Sequence, residues 1–141
     1  MSGAGAPAGR SRIFEPTAAP ARAVHAHASP PPIQLQGIRV VDLSRILSGP
    51  FCSMFLADMG AEVIKIEDVD EGDPVRRQGH LRNGFSLYFA SFNRNKRSLT
   101  LDLRSAEGKV VLRKLVATAD VVLDNFRPGV MEKIGLSRAE L

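Results

Sequence analysis

Two short strand-like runs constrain this fold more than any other feature of its sequence. Residues 38–43 (IRVVDL) form a β-branched apolar stretch, with Gly37 before it and Ser44 after it. That length and composition mark a strand buried on both faces. Residues 62–67 (EVIKIE) repeat the signal. Between them, residues 50–59 predict a helix. Ser48 is its expected N-cap, Pro50 suits the first turn, and Gly60 stands where a helix should stop. Phe51, Phe55 and Met59 recur at helical spacing and are expected to face the sheet. The three elements make a β-α-β unit, which implies parallel strands joined by a right-handed crossover.

The rest of the chain extends an α/β pattern. Residues 68–85 are polar and rich in glycine and charge, and read as a long loop. Residues 86–92 (SLYFASF) suit a short helix. Leu99, Leu101 and Leu103 alternate with Ser98, Thr100 and Asp102 and predict a third strand. Residues 105–118 predict a helix with Val111, Leu112, Leu115 and Val116 as its apolar stripe. Residues 121–123 supply a fourth strand, and residues 128–134 a short helix ended by Gly135. Ser137 and Glu140 have capping-box spacing. A further helix is thus expected to start where these 141 residues stop, as in a fragment of a longer protein.

Residues 1–34 differ in kind. They hold nine Ala and six of the nine Pro, with three Arg against one Glu. Such a segment buries too little apolar surface to offset its ordering entropy and is expected to be a disordered tail. Its composition resembles a transit peptide, although the prolines interrupt the amphipathic helix a mitochondrial presequence needs. The ordered domain is therefore expected over residues 35–141. The net charge of +4 is spread over tail and domain alike, unlike the one-sided field of a duplex nucleic-acid binder. No apolar run approaches the ~18–20 residues of a membrane helix. The single cysteine, Cys52, excludes an internal disulfide and fits a reducing compartment. A cytoplasmic location is expected, or a mitochondrial one if the tail is a transit peptide.

Chemistry is expected at the carboxyl ends of the strands, where open α/β sheets bind ligands. The first turn, residues 44–50, opens a helix whose free N–H groups favour anions, although Gly49 and Pro50 also serve simply to shape a turn. The three-glycine fingerprint of a dinucleotide site is absent there. Arg94, Lys96 and Arg97 lie within four residues and could clamp phosphates; a solvated basic loop is the other reading. The acidic run 67–73 lacks calcium-loop spacing, so no metal site is expected. Residues 124–129 place Phe126 between Asn125 and Arg127, which could cover an adenine and meet phosphate, with Lys133 nearby; Phe126 in the core and Arg127 on the surface is equally open. No nucleophile–base pair emerges. His25 and His27 lie in the tail, His80 is alone in a loop, and Cys52 reads as a small core residue.

In order, LQGIRVVDL (35–43), GPF (49–51), LADMGAEVIKIE (56–67), NRNKRSL (93–99), LDL (101–103) and NFRPG (125–129), with Met131 and Gly135, resemble the opening of the class III CoA-transferases. That family also contains the 2-methylacyl-CoA racemases. The resemblance covers residues 35–141 and implies a Rossmann-like, CoA-binding α/β domain from the N-terminal part of an interlaced homodimer. The implied coenzyme contacts are Leu47 and Ser48, Leu101, Asp102, Leu103 and Arg104, Asn125, Phe126 and Arg127, and Lys133. Where some relatives place a nucleotide-contacting arginine, this chain has Asp68, with Arg76 or Arg97 as expected substitutes. The family works through an aspartate that forms acyl-anhydride and thioester intermediates. That residue is expected beyond residue 141, leaving this stretch inactive alone. NRNKR, where racemases tend to GRGKR, and the longer segment 68–92 favour transfer. A racemase fragment and a non-catalytic CoA-binding module are the alternatives.

Overall fold

A computed structural model of the chain describes residues 33–137 and Ala139. The expected tail (all but Ile33 and Gln34) and half of the expected final capping box, Arg138 and Glu140, lie outside these residues. Strand β1 (Arg39–Asp42) leads through helix α1 (Ser48–Asp58) to β2 (Glu62–Glu67). A 3-10 turn (Pro74–Arg77) precedes a hairpin of β3 (Leu81–Arg82) and β4 (Phe85–Ser86). Then follow α2 (Leu87–Asn93), β5 (Lys96–Thr100), α3 (Ala106–Val116), β6 (Val121–Leu123) and α4 (Val130–Lys133). The main sheet has the order β5-β2-β1-β6 with every pairing parallel. Val40 lies opposite Val63 on one side and Val121 on the other.

Successive residues of a strand face opposite ways, and both faces are covered. Val40 and Val63 pack with Ala57 of α1 and Ala61, while Val41 and Ile66 pack with Leu112 of α3 and with Leu136. This double coverage explains why β1 reads as an unbroken apolar run rather than an alternating one.

Several expectations are corrected. The helix begins at Ser48, behind Leu47, and no side chain caps it. Its buried face is Gly49, Pro50, Ser53, Met54 and Ala57, whereas Phe51, Phe55 and Met59 are exposed. The cause is closeness. A Cβ on Gly49 would stand 2.1 Å from Cβ of Ser44, and Ser53 donates to Asp42 at 2.5 Å. A helix seated this tightly can present only small side chains at its near end. Phe51 instead meets Phe55 edge-on at 4.8 Å and Phe92 of α2 at 5.9 Å. Cys52 is exposed, not in the core. In α3, capped by Ser105 accepting from the Gly108 N–H at 2.9 Å, Val111 is exposed while Leu112 is buried.

The segment read as one long loop contains the 3-10 turn and the hairpin. Asn83 and Gly84 carry positive φ of 52° and 77°, which an Asn-Gly hairpin turn requires. The third strand lies earlier than expected, so Lys96 and Arg97 belong to it and Leu101 and Leu103 follow it. No helix among the described residues is long and apolar enough to cross a membrane.

Candidate functional site

At the carboxyl ends of β1, β2 and β6 the chain leaves a cavity of about 510 Å³. Its floor is apolar, built from Leu43, Ile66, Leu101, Leu103, Val130 and Ile134. Its rim holds Arg45 and Ile46 from the first turn, Glu67 and Asp68 after β2, Arg104 before α3, and Asn125, Phe126 and Arg127 after β6. A second, smaller recess of about 280 Å³ lies between Arg45, Arg104 and the acidic loop of Asp68, Asp70 and Glu71. Arg45 and Arg104 thus border both. An apolar slot beside an arginine-bearing mouth suits a ligand with a flat or aliphatic part and an anionic part.

The turns that build the rim are held by side chains acting on backbone. Asn125 accepts from the Arg45 N–H at 2.9 Å and donates to the Arg45 carbonyl at 2.8 Å. The Arg45 guanidinium sits 5.5 Å from the Phe126 ring centroid, within cation–π range. Asp68 accepts from the N–H groups of Asp70 and Glu71 at 3.0 and 3.2 Å. Those two bonds, followed by the charges of Arg104 and Arg45, hold its carboxyl below the usual range. Asp102 accepts from the Arg104 N–H at 2.9 Å and from its Nε at 3.1 Å, so Asp102 orients the arginine. Arg104 also lies 3.7 Å from both Asp68 and Asp70. Its side chain is 73% exposed, and exposed pairs of this kind hold weakly. An incoming anion can exchange for them.

Beneath the rim lies a buried polar network. Asp42 accepts from the Ser44 N–H at 2.9 Å, from the Ser44 and Ser53 hydroxyls, and from Lys96 Nζ at 3.3 Å. Glu67 binds both nitrogens of the Arg76 fork, at 2.6 and 2.7 Å, together with the Ser98 hydroxyl and the Asp73 N–H. Burial alone would raise the Glu67 carboxyl; these donors outweigh it and bring it down to about 2. Burial pushes the Lys96 ammonium the other way, down to about 8, against the pull of Asp42.

Of the residues singled out by sequence, Leu101, Leu103, Arg104, Asn125, Phe126 and Arg127 come together around the cavity. Others do not line it. Leu47 and Ser48 are exposed just past Ile46. Lys96 is turned inward, donating to the Pro50 carbonyl at 2.8 Å and to Asn93 at 2.9 Å, and cannot clamp a phosphate. Arg97 pairs with Glu62 at 2.8 Å, at the opposite end of β2, and Arg94 with Asp58. Lys133 lies outside the lining, where its carbonyl accepts from Lys109 Nζ at 2.9 Å. Arg76 is committed to Glu67 and stacks on Phe89 at 3.8 Å, so neither expected substitute faces Asp68; Arg104 and Arg45 do. The residues that sequence reasoning missed are Arg45 and Ile46. Both sit in the flagged turn, and a positive charge at a strand's carboxyl end was the available signal. Among the described residues, no cluster of three His, Cys, Asp or Glu could hold a metal ion.

The family model described as CoA-transferase family III matches residues 35–141. A succinyl-CoA–D-citramalate CoA-transferase from Chloroflexus aurantiacus is 48% identical over 112 residues, covering 79% of this chain and 28% of that protein. A formyl-CoA:oxalate CoA-transferase from Afipia carboxidovorans is 45% identical over 104 residues, covering 73% of this chain and 24% of that protein. Among solved structures, a CaiB/BaiF family protein from Brucella suis superposes with a TM-score of 0.70 at 44% identity, covering 77% of this chain and 29% of that one. The chain thus spans 24–29% of the length of such relatives. With its parallel sheet flanked by helices, it belongs to CoA-transferase family III.

Proposed function

We propose that the cavity holds the coenzyme part of an acyl-CoA, in an enzyme that moves CoA between carboxylic acids. The observation that carries this reading is the pairing of an apolar slot closed by Phe126 with a mouth bearing Arg45, Arg104 and Arg127. Adenine and the pantetheine arm are flat or aliphatic, and the phosphates are anionic. On this reading Phe126 covers the base, and Arg104 and Arg45 exchange their carboxylate partners for phosphate oxygens. Asn125 and Asp102 hold these groups in place. Leu47, Ser48 and Lys133 would reach the ligand only along its outer stretch.

The transfer chemistry is assigned to an aspartate outside these 141 residues, through acyl-anhydride and thioester intermediates. This domain contributes binding and orientation. The activities named for the relatives are transfers, which favours transferase over racemase. Phe51 and Phe55 are exposed, with the half-buried rings of Tyr88 and Phe92 beside them, and this apolar face fits a homodimer in which it is covered.

Calorimetric titration of the complete protein with CoA tests the reading. Binding is expected, and Arg104→Gln and Phe126→Ala are each expected to weaken it about tenfold, equivalent to about 1.4 kcal/mol. Wild-type protein that takes up neither CoA nor acyl-CoA refutes it.

A further inference from the structure

Ile46 lies at the cavity rim with φ of 70°. A β-branched residue is rarely left-handed, because its Cβ crowds the neighbouring carbonyl. Such a conformation persists only where the surroundings over-determine it. Here they do so from beneath. The Ile46 N–H points at both carboxylate oxygens of Asp73, each 3.3 Å away. Lys65 Nζ donates to the Ser44 carbonyl at 2.8 Å and pairs with Asp73 at 2.9 Å. Both side chains are almost fully buried, at 2% and 1% exposure. Asp73 is itself fixed by its own N–H to Glu67 at 2.9 Å and by accepting from the Val75 N–H at 3.1 Å.

Two features separate this pair from ordinary packing. A buried ion pair is seldom a net source of stability, since desolvation offsets the attraction. Moreover, the hydrogen bonds these two residues make to the turn go to main-chain groups, Ser44 O and Ile46 N. They set the backbone path and leave the side chains of Arg45 and Ile46 free to face the cavity.

We propose that Lys65 and Asp73 are positioning residues of the coenzyme site, which lock the turn from Ser44 to Ile46 into its left-handed shape without touching the ligand. The inference rests on the CoA reading of the cavity. Asp73→Ala alone would strand the Lys65 ammonium in the core, so the informative variant removes both charges, Lys65→Met with Asp73→Ala. It is compared with Ile46→Gly and with the triple variant, all in the complete protein and titrated with CoA. Glycine adopts the left-handed conformation unaided. Removing the pair is therefore expected to weaken CoA binding about tenfold when residue 46 is isoleucine and less than about threefold when it is glycine, the signature of coupled sites. The neutral, near-isosteric Lys65→Gln/Asp73→Asn keeps an acceptor for the Ile46 N–H and is expected to restore most of the affinity.

Hydrogen exchange supplies a readout that needs no ligand. Exchange at the Ile46 amide should quicken in the charge-free variant while the amides of Val41 and Ile64 in the sheet keep their protection. An equal loss of affinity in both backgrounds, unchanged affinity, or exchange that quickens uniformly through the sheet would overturn the proposal. If wild-type protein takes up no CoA, the ligand reading falls, and with it the claim that the turn serves a coenzyme; local quickening at Ile46 would then mark the pair as holding the turn alone.

Discussion

Glu67 offers a test in which geometry sets the magnitude. Its carboxylate is buried at the end of β2 and receives four donors, two from Arg76, one from Ser98 and one from the Asp73 main chain. Together they carry its pKa from 4.5 down to about 2. At about 1.4 kcal/mol for each tenfold change in proton affinity, this carboxylate contributes about 3 kcal/mol at neutral pH. The sign follows from the direction. A depressed carboxyl gives its full contribution above pH 4.5 and loses it as pH falls through 2, because the unfolded chain takes up the proton first. The perturbation is Glu67→Gln, which cannot ionise. Urea denaturation followed by circular dichroism, repeated between pH 6 and pH 2, should show wild type more stable at pH 6. The gap should close by most of that amount at pH 2. A gap that stays constant across this window would mean that the four donors do not favour the ionised form, and the electrostatic account of this corner would be wrong.

Lys96 should act in the opposite range. Its ammonium is held down to about 8 by burial, so the folded state sheds this proton before the unfolded chain does. Stability relative to Lys96→Met is therefore expected to rise by up to about 3 kcal/mol between pH 8 and 10.5, read by thermal unfolding; a flat difference would refute it. Gly49→Ala would place a methyl 2.1 Å from Cβ of Ser44. It should destabilise by about 1–3 kcal/mol in chemical denaturation and also weaken CoA binding, since the first turn must shift. Leu112→Ala empties a fully buried position between α3 and the sheet. A loss of about 2–5 kcal/mol is expected in the same assay.

The parallel sheet was legible because its signal is local: β2 occupies the six residues its pattern indicates, and Ser105 caps its helix as its residue type suggests. The orientation of α1 was not legible. That helix is apolar nearly all round, so periodicity nominates Phe51 and Phe55 as readily as Ser53 and Ala57. The choice is made by the closeness of Gly49 to Ser44, a contact visible only in three dimensions. The hairpin could have been found from Asn83-Gly84, but its strands of two residues each carry too little alternation to register. At the site, Phe126 was legible as a ring set between an amide and a guanidinium after the fourth strand, whereas Arg104 was reached only through the family resemblance. Lys96 misled for a physical reason. A basic cluster in sequence says nothing about which cation turns inward, and Lys96 does so because Asp42 is waiting at 3.3 Å.

The charges of this domain divide into two sets that behave differently. Lys65, Asp73, Lys96, Asp42 and Glu67 are buried and paired with one another, with Arg76 or with backbone. Breaking such a pair strands a charge in a medium that cannot solvate it. Arg45, Arg104 and Arg127 line the mouth, and there Arg104, oriented by Asp102 at 3.1 Å, is held only loosely by Asp68 and Asp70, at 3.7 Å each. The first set resists rearrangement and fixes the backbone of the turns. The second can swap a carboxylate for a phosphate at small energetic difference. On the proposed CoA reading, the site need not be strongly positive as a whole, because selectivity would come from where the arginines are held rather than from net field. That is why the net charge of +4, split between tail and domain, indicates so little about the ligand, while the hydrogen bonds from Asn125 to Arg45 and from Arg104 to Asp102 indicate so much.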